Sequence, residues 1–438
     1  MNYQQSIIEL KNLSKFGINM GLQRICELLH RLGNPQQRIN HYIHIAGTNG
    51  KGSVAAISES ILRAQGHRTG FFSSPHLYSY RERFRINSQP ISERTLAYHF
   101  SNIIPIVRKI ADEGFERPTE FEVSTALALC CFAEAGVDWA VMETGLGGAI
   151  DSTNIIDGEI AVITNVDWDH MEYLGNTIEE IATVKAGIIK KGASVICGVT
   201  DGVALDIIKR KAADQQASLS ILGRELEFRI KSFDSVRQVI DITISNHHYS
   251  DLQLPLLGEH QAANATLAVA ACELAGCGEQ AIHQGLATVK WPARLEIISQ
   301  QPLILLDGAH NCQGMDSLVA ALSKLWPNKK IVALIGMLAD KERERALDIL
   351  LPYVEKVVVC PPPSARAGDW HRITAYCRNW GKQYVFEEAD VKQACQLALK
   401  LLDDNDDSML LAAGSLYLVA EIRKFLFNEG CNNDRLVL

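Results

Sequence analysis

Residues 44–53 have the sequence His44-Ile-Ala-Gly-Thr-Asn-Gly-Lys-Gly-Ser53. This pattern is typical of a strand that runs into a glycine-rich phosphate loop. Its glycines let the backbone approach phosphate oxygens, Lys51 adds a cation, and Ser53 offers a hydroxyl to Mg²⁺ as a helix begins. The spacing G-x-x-G-K-G-S is shorter than the usual G-x-x-x-x-G-K-[ST]. The stretch therefore predicts a nucleoside triphosphate site, provided that its context agrees.

The residues on either side of this loop agree with that prediction. Tyr42, Ile43 and Ile45 suit a buried strand before it, and apolar residues recur at roughly helical spacing from Val54 to Leu62 after it. The alternative is a glycine-rich turn that binds nothing. An unpaired lysine in a glycine loop has little use in packing, which favours the phosphate site.

Composition predicts a globular protein of more than one domain. The chain has 438 residues, of which 47% are hydrophobic and 21% charged, and this length exceeds a single core. The net charge is −8 and the pI about 5.9, without a run of basic residues, so a nucleic-acid surface is not expected. The amino terminus lacks a secretory pattern and no apolar run reaches membrane-spanning length, so we expect a cytoplasmic location without membrane association.

The 11 cysteines are scattered and form no CxxC pair. We interpret them as reduced thiols, mostly small core residues, rather than as a metal cluster or a disulfide framework. They are Cys26, Cys130, Cys131, Cys197, Cys272, Cys277, Cys312, Cys360, Cys377, Cys395 and Cys431.

From about residue 40 to 300, apolar runs of β type alternate with helical stretches, which predicts a mostly parallel sheet covered by helices. Trp139–Glu143 and Ile160–Asn165 are clear strand candidates that end in polar residues. In such sheets, ligands bind at the carboxyl ends of the strands. Residues 220–255 alternate polar and apolar side chains, and there we expect an antiparallel hairpin inserted at the edge of the domain.

A second α/β unit is expected from about residue 297, with the boundary just after Trp291–Glu296. Its strand candidates are Leu303–Asp307, Lys330–Gly336, Val357–Cys360 and Met409–Ala413. Helical stretches separate them, which predicts another sheet covered by helices.

Three polar residues near predicted strand ends are candidate metal ligands. Glu143 closes a strand, His170 follows the next strand, and Ser74 lies in Phe72-Ser-Ser-Pro75. Oxygen and imidazole ligands of this kind suit one or two Mg²⁺ ions held against a transferred phosphate. Each also has a plain structural explanation: Glu143 as a helix cap, His170 as an interior histidine, and Ser74 as a turn residue. Lys185, on an otherwise apolar helix, is by itself most simply a surface lysine with a buried stem.

Ten separated motifs resemble the folylpolyglutamate synthase and dihydrofolate synthase family of the Mur ligase superfamily. They span nearly the whole chain in the family's order. They are Gly47–Ser53, Ser73–Leu77, Glu143–Gly148, Asp151–Asn154, Asp169-His170, Leu174-Gly175, Lys185–Ile188, Gly258–Gln261 with Asn264, Asp307–Asn311 and Gly414–Tyr417.

The resemblance implies an α/β protein of two domains. Residues 1–296 would form a P-loop domain with a central parallel sheet, like the Mur ligase middle domain, and would carry a folate-type substrate site. Residues 297–438 would form a smaller Rossmann-like domain that contributes the glutamate site. The enzyme would use ATP to convert a carboxylate to an acyl phosphate, which the amine of glutamate attacks with release of ADP and phosphate.

The matching positions imply roles for individual residues. ATP would contact Asn49, Gly50, Lys51, Gly52 and Ser53, together with Asn264, Arg294 and Asp307. Mg²⁺ would lie among Ser53, Ser74, Glu143, His170 and Lys185, the last as a carbamate; Lys51, Lys185 and His310 would be catalytic. The pterin would lie near Thr119, Glu120, Phe121, Ile150, Asp151 and Ser152, and glutamate near Ser415 and Tyr417. The partners would be small molecules (ATP, folate or dihydropteroate, and L-glutamate), with the chain acting as a monomer.

The chain departs from the family pattern at four positions. Ala149 replaces an arginine, Val184 a glutamate, Ala293 a glycine and Cys312 a proline. The first two lie in or beside the substrate and metal region, where losing an arginine removes a carboxylate partner. A ligase that accepts a different carboxylic acid or amino acid is therefore the alternative enzyme. A nucleotide-binding scaffold without catalysis is the alternative from another class, and the presence of Lys51, Glu143, His170 and Lys185 speaks against it.

Overall fold

The computed structural model describes residues 1–13, 21–234, 236–403 and 407–430. Contacts divide the chain into two compact units. The first comprises Met1–Arg229, Asp241–Leu252 and Ala263–Val289. The second comprises Ile230–Ile240, Gln253–Ala262 and the chain from Lys290 onward.

The α-helices are numbered in chain order. They are α1 (Tyr3–Leu13), α2 (Gln23–Arg31), α3 (Lys51–Ala64), α4 (Glu93–Asp112), α5 (Glu120–Ala135), α6 (Met171–Leu174), α7 (Ile178–Ala186), α8 (Gly202–Asp214), α9 (Glu259–Leu274), α10 (Glu279–Thr288), α11 (Cys312–Leu325), α12 (Arg343–Leu350), α13 (His371–Asn379), α14 (Val391–Lys400) and α15 (Leu416–Phe425). Short 3₁₀ turns occupy Pro35–Arg38, Tyr80–Arg83, Ser152–Ile155, Leu351–Tyr353 and Ala365–Ala367, and a π-helix occupies Leu426–Gly430.

The strands are numbered in the same way. They are β1 (His41–Ala46), β2 (Thr69–Phe72), β3 (Phe84–Ile86), β4 (Gln89–Pro90), β5 (Trp139–Glu143), β6 (Ile160–Ile163), β7 (Ser194–Cys197), β8 (Ser218–Ile221), β9 (Leu226–Phe233), β10 (Gln238–Ile244), β11 (His247–Leu254), β12 (Glu296–Gln300), β13 (Leu303–Leu306), β14 (Lys330–Ile335), β15 (Val354–Val359), β16 (Tyr384–Glu387) and β17 (Ser408–Ala413).

The first unit is built on an eight-stranded sheet in the order β4-β3-β2-β5-β1-β6-β7-β8. The strands from β2 to β8 in this order pair in parallel, and β3 and β4 add an antiparallel edge. The central strands are buried along almost their whole length because helices cover both faces. The predicted, mostly parallel sheet is confirmed.

Helix α3 begins at Lys51, directly after the phosphate loop, as the apolar spacing predicts. It is buried on nearly every side from Ser53 to Leu62. Helix α10 comes so close to α3 that a Cβ on Gly285 would lie 2.4 Å from the Cα of Ile61. The hydroxyl of Ser60 donates to the Gly285 carbonyl at 2.7 Å. This tight packing fixes the helix whose first turn faces the phosphate loop.

The segment predicted as a hairpin forms a three-stranded sheet instead, in the order β11-β10-β9. The hairpin prediction was wrong in strand number because the alternation within residues 220–255 extends over β9 as well as β10 and β11, and the three strands pair in one sheet. The two-residue connection between β10 and β11 is a tight hairpin turn.

The second unit contains a six-stranded sheet in the order β12-β13-β17-β14-β15-β16. All neighbouring strands pair in parallel except β12 with β13, which are antiparallel. Leucine, isoleucine and valine side chains of β13, β14, β15 and β17 form its core together with α11 and α12. The second α/β sheet predicted from the sequence is confirmed. The two edge strands of this sheet, β12 and β16, were not predicted from the sequence.

In the described residues, no helix combines the length and the apolar character needed to cross a bilayer. The ten cysteines in that part of the chain are free thiols and most of them are buried. Cys431 lies outside the described residues.

Candidate active site

Four neighbouring strands of the first sheet bring predicted site residues to one edge. The strands β2, β5, β1 and β6 lie side by side and parallel, so their carboxyl ends meet at that edge. Ser74 follows β2, Glu143 ends β5, the phosphate loop follows β1, and the segment containing His170 follows β6. The structure therefore brings these residues together although the phosphate loop and His170 are more than 110 positions apart in sequence.

Two glycines let the phosphate loop pass close to other chain segments. Gly47 has φ +154°, and a Cβ there would lie 1.8 Å from Oγ1 of Thr164. Gly50 has φ +82°, and its Cβ would lie 2.5 Å from Oδ1 of Asn264. Any larger residue would be strained at both positions. Asn264, predicted to bind the nucleotide, thus lies directly against the loop.

The loop is held by side chains from the segment after β6. Oδ1 of Asn165 accepts hydrogen bonds from the amides of Thr48 (3.0 Å) and Asn49 (2.9 Å), and Oγ1 of Thr164 donates to the Asn49 carbonyl at 2.5 Å. The Lys51 ammonium donates to the carbonyls of Gly47 (2.9 Å) and Thr48 (3.1 Å). Lys51 therefore already faces the concave side of the loop, where a phosphate would compete for its charge.

The candidate metal residues have different degrees of burial. Glu143 is buried, and its Oε2 accepts a 3.4 Å hydrogen bond from the Ser74 amide. No helix begins at Glu143, which argues against its role as a cap. His170 is about one-third exposed and has φ +51°, so it is not an interior histidine. The Ser53 hydroxyl belongs to the first turn of α3.

The donor set suits a hard cation. Carboxylate and hydroxyl oxygens are preferred ligands of Mg²⁺, which keeps several waters and substrate oxygens in its shell. Among the described residues, no three His, Cys, Asp or Glu side chains converge as a complete metal cage.

Lys185 is buried rather than snorkelling to the surface. Burial and the nearby positive charge of Lys51 lower the pKa of its ammonium to about 7, while Asp169 acts in the opposite direction. At neutral pH a large fraction of this amine is therefore unprotonated. A neutral amine is the nucleophile that combines with carbon dioxide to form a carbamate.

The glycine-rich segment after β5 packs on the last turn of α7, which carries Lys185. A Cβ on Gly148 would lie 2.7 Å from the Val184 carbonyl oxygen and 2.8 Å from that of Lys185. The Ala149 amide donates to the Val184 carbonyl at 2.7 Å. The segment therefore determines where this helical turn lies.

Asp151 organises the same segment from within. Its carboxylate accepts hydrogen bonds from the Leu146 amide (2.7 Å) and from the amide (2.9 Å) and hydroxyl (2.6 Å) of Thr153. Burial raises the pKa of this carboxyl, and these hydrogen bonds oppose that effect. Ser152 is also buried, and its hydroxyl lies 2.8 Å from that of Thr125, while Ile150 is partly exposed beside it.

The other segment predicted to bind the pterin, residues 119–121, lies at the start of α5. Thr119 caps this helix together with Glu122. Glu120 accepts hydrogen bonds from Tyr80 and from Nη1 of Arg83, the latter at 3.1 Å. A Cβ on Gly145 would lie 2.4 Å from Cζ of Phe121, so the Phe121 ring covers the start of the glycine-rich segment. Residues 119–121 and 145–152 therefore lie next to each other.

The predicted residues of the second unit also meet at one edge of a sheet. Asp307 follows β13 and Ser415 follows β17, and these strands are parallel neighbours. The Asp307 carboxylate accepts from the amides of Leu295 and Ala309, both at 2.7 Å. Nδ1 of His310 lies 2.8 Å from the Gly308 carbonyl, and Nη1 of Arg294 donates to the Ala293 carbonyl at 2.9 Å.

Ser415 and Tyr417 begin α15. The buried Ser415 hydroxyl caps the helix by accepting from the Tyr417 amide at 3.3 Å. The Gly414 amide donates to the Ala309 carbonyl at 2.9 Å, which joins this segment to the one containing His310. The residues predicted for the glutamate site are therefore neighbours of His310.

Several residues that hold the site together were not assigned a role from the sequence. Asn165 and Thr164 position the phosphate loop, and Arg83 and Tyr80 hold Glu120. Asp169, which belongs to a family motif but was given no role, acts on Lys185. Thr164 and Asn165 are the polar residues that end the predicted strand Ile160–Asn165, which is a signal that could have identified them. Arg83 and Tyr80 carry no such signal because only the tertiary fold brings them to α5.

Comparisons with known proteins identify the family to which the chain belongs. A family model described as the Mur ligase middle domain matches residues 45–272, and one described as the Mur ligase, glutamate ligase domain matches residues 293–416. The chain is 33% identical over 436 residues to a Bacillus subtilis protein named dihydrofolate synthase/folylpolyglutamate synthase, covering 97% of this chain and 99% of the relative.

Solved structures agree with these matches. A Mycobacterium tuberculosis folylpolyglutamate synthase complexed with ADP and AMPPCP superposes with a TM-score of 0.90 at 33% identity, covering 98% of this chain and 99% of that one. Escherichia coli FolC in complex with DHPP and ADP gives a TM-score of 0.88 at 30% identity, covering 98% of each chain. The chain belongs to the folylpolyglutamate synthase and dihydrofolate synthase family of the Mur ligases, which confirms the resemblance found in its motifs.

Proposed function

We propose that this ATP-dependent, ADP-forming ligase joins L-glutamate to the carboxylate of a pterin-benzoate acid, dihydropteroate or a folate, through an acyl phosphate. The observation that carries the proposal is the set of residues that meet at the carboxyl ends of the strands in the first sheet. There the phosphate loop lies beside Glu143, and the buried Lys185 is within electrostatic reach of Lys51. The relatives named as dihydrofolate and folylpolyglutamate synthases support this choice of acid.

Nucleotide binding is assigned to the phosphate loop, with Asn264, Arg294 and Asp307 as further contacts. Phosphoryl transfer to a carboxylate brings two anions together, so cations must offset the charge. Lys51 supplies one such charge at the loop. Ser53, Ser74, Glu143 and His170 would hold Mg²⁺, which neutralises phosphate charge when bound.

Lys185 is proposed to act as a carbamate. Its pKa of about 7 leaves neutral amine at physiological pH, and carbamylation would convert this buried amine, which lies within electrostatic reach of Lys51, into an anion. That anion would be attracted to the Lys51 ammonium and would provide another oxygen ligand for the cation. A carbamate at Lys185 therefore suits both the electrostatics and the metal.

The pterin is assigned to residues 119–121 and 150–152, where Phe121 offers an aromatic face. Glutamate is assigned to Ser415 and Tyr417, with His310 near the reacting groups. An acyl phosphate is rapidly lost to water, so correct placement of the attacking amine supplies both rate and protection. A monomeric state and a cytoplasmic location remain predictions from the sequence.

The direct test measures phosphate release with ATP, a panel of acids and each acid with and without glutamate. We expect release with dihydropteroate or tetrahydrofolate that depends on glutamate, and a glutamylated product by mass spectrometry. Absence of release with both acids would exclude the proposed acceptor.

The second candidate is a ligase of the same family with a different acid. The small side chains of Ala149 and Val184, joined by a backbone hydrogen bond, favour it because they replace an arginine and a glutamate of the family pattern. Turnover with another carboxylic acid in the same panel, and none with pterin acids, would establish this alternative. ATP binding without turnover for every acid would indicate a scaffold.

A further inference from the structure

His44 lies on β1, three residues before Gly47, and its side chain is fully buried. Its Nε2 is 2.8 Å from Oγ1 of Thr153. The Thr153 hydroxyl in turn donates to Oδ1 of Asp151 at 2.6 Å. A continuous chain of hydrogen bonds therefore joins the strand that leads into the phosphate loop to the turn that carries residues 150–152.

The direction of these hydrogen bonds follows from the single proton of the Thr153 hydroxyl. Since that proton goes to Asp151, His44 must donate from Nε2, and its Nδ1 carries the lone pair. Among the described residues, Nδ1 has no hydrogen-bond partner. Burial and the nearby charge of Lys190 lower the pKa of His44 to about 3, so the imidazole is neutral.

A buried nitrogen without a partner destabilises the fold, and an apolar side chain of similar size would avoid that cost. Gly158 leaves space beside His44, because a Cβ at position 158 would lie 3.1 Å from Cβ of His44. A histidine at this position is therefore explained by the hydrogen bond that it donates to Thr153, not by packing.

The other end of the chain of hydrogen bonds lies in the segment that packs on α7, the helix that carries Lys185. Asp151 holds the Leu146 amide through Oδ2 and the Thr153 amide through Oδ1, so it joins both ends of segment 146–153. The same segment is joined to the last turn of α7 by the hydrogen bond from Ala149 to Val184, the residue before Lys185. A displacement of Asp151 would therefore move both the pterin-binding turn and the support of Lys185.

We propose that His44 and Thr153 are positioning residues. The His44–Thr153–Asp151 chain fixes segment 146–153 against β1, and this keeps the acid-binding turn and Lys185 in place relative to the phosphate loop. The inference rests on the proposed function for its kinetic consequence, but the structural link itself does not depend on the identity of the acid.

The test compares Thr153→Val with Thr153→Ser. Valine has nearly the same shape but lacks the hydroxyl, whereas serine keeps it. We expect Thr153→Val to raise KM for the pterin acid by about tenfold or more with KM for ATP changed by less than about twofold. Thr153→Ser should restore the wild-type KM. Equal changes in both KM values, or no rescue by serine, would overturn the proposal.

Thr69→Val is the matched control. The Thr69 hydroxyl is also buried and donates to a carboxylate oxygen, Oε1 of Glu59, at 2.7 Å. Thr69 lies at the amino end of β2, whereas the candidate site lies at the carboxyl ends of the strands. We expect this variant to lose thermal stability without a change in KM for the acid. A similar rise in KM in Thr69→Val would show that any buried threonine produces the effect.

Hydrogen exchange provides a readout that needs no acid. In the unliganded protein, the amides of residues 146–153 should exchange faster in Thr153→Val than in wild type and Thr153→Ser. His44→Phe should have the same effect, and the double variant should add little to it. If wild type fails to use either pterin acid, the proposed function fails while this measurement still tests the link. Unchanged exchange in both single variants would exclude it.

Discussion

The Ala149 amide donates a 2.7 Å hydrogen bond to the carbonyl oxygen of Val184. Both residues depart from the family pattern, and they are direct partners in the fold. Their contact joins the glycine-rich segment after β5 to the turn that carries Lys185. Gly148, in the same segment, has no room for a side chain against this turn.

Gly148→Ala should therefore displace Lys185. The added Cβ would lie 2.7 Å from the Val184 carbonyl oxygen, so the turn must shift. We expect kcat to fall by about tenfold to a hundredfold because small misplacements in an active site have effects of that size. Steady-state kinetics should show the loss with ATP affinity retained. Gly278→Ala is the control, because its nearest neighbour would be 3.8 Å from the new Cβ.

Lys51→Ala should abolish the cation at the phosphate loop. We expect kcat/KM for ATP to fall by about a hundredfold or more, since charge stabilisation of the transferred phosphate is lost. Circular dichroism should show an unchanged fold, because the hydrogen bonds of the Lys51 ammonium go to carbonyls of its own loop. Lys191→Ala, at an exposed lysine, is the control and should keep full activity. Wild-type turnover in Lys51→Ala would contradict the phosphate assignment.

Lys185→Ala tests the carbamate. Activity should drop sharply, and short carboxylates such as formate or acetate should restore part of it by supplying an oxygen ligand in the vacated space. The same salts should not raise the rate of wild type, and chloride at equal ionic strength should not rescue the variant. Labelled bicarbonate should produce a carbamate signal in wild type alone. A crystal structure with density ending at the lysine nitrogen in active enzyme would count against the modification.

Ala293→Gly should stabilise the second unit slightly. Ala293 has φ +60°, where the family pattern has glycine, and a left-handed alanine costs about 1–2 kcal/mol. The greater freedom of glycine in the unfolded chain offsets part of the gain, so we expect an increase of up to about 1 kcal/mol in the free energy of unfolding. Urea denaturation measures it. The same substitution at Ala320, exposed on α11, should instead destabilise by about 0.5–1 kcal/mol.

The burial of His44 should appear in acid unfolding. Its pKa is 6.5 in the unfolded chain and about 3 in the fold, so below pH 6.5 the unfolded state binds the additional proton. Stability is therefore lost as the pH falls through this window, by roughly 1.4 kcal/mol per pH unit for this group. His44→Phe should reduce the slope of unfolding free energy between pH 6 and pH 4 by about that amount. His283→Gln, at an exposed site on α10, should keep the wild-type slope.

The architecture and the phosphate loop could be predicted from residues that are close together along the chain. The apolar runs of β1, β5 and β6 indicate buried strands. The glycines at 47 and 50 permit φ values that other residues rarely adopt. Both signals are read from residues that are neighbours in sequence. The family motifs added the candidate roles of Lys185, His310 and Ser415. They did not reveal why a lysine at position 185 would be reactive.

The surroundings of each candidate residue could be read only from the folded chain. The pKa of Lys185 depends on burial and on Lys51, which is more than 130 positions away in sequence, and the partners of His44 and Glu120 come from other elements. The pairing of β9 with β10 and the contacts of Arg83 were likewise not readable in advance. Hydrogen bonds and desolvation act over a few ångströms in space, so only the folded arrangement of strands and loops assigns them.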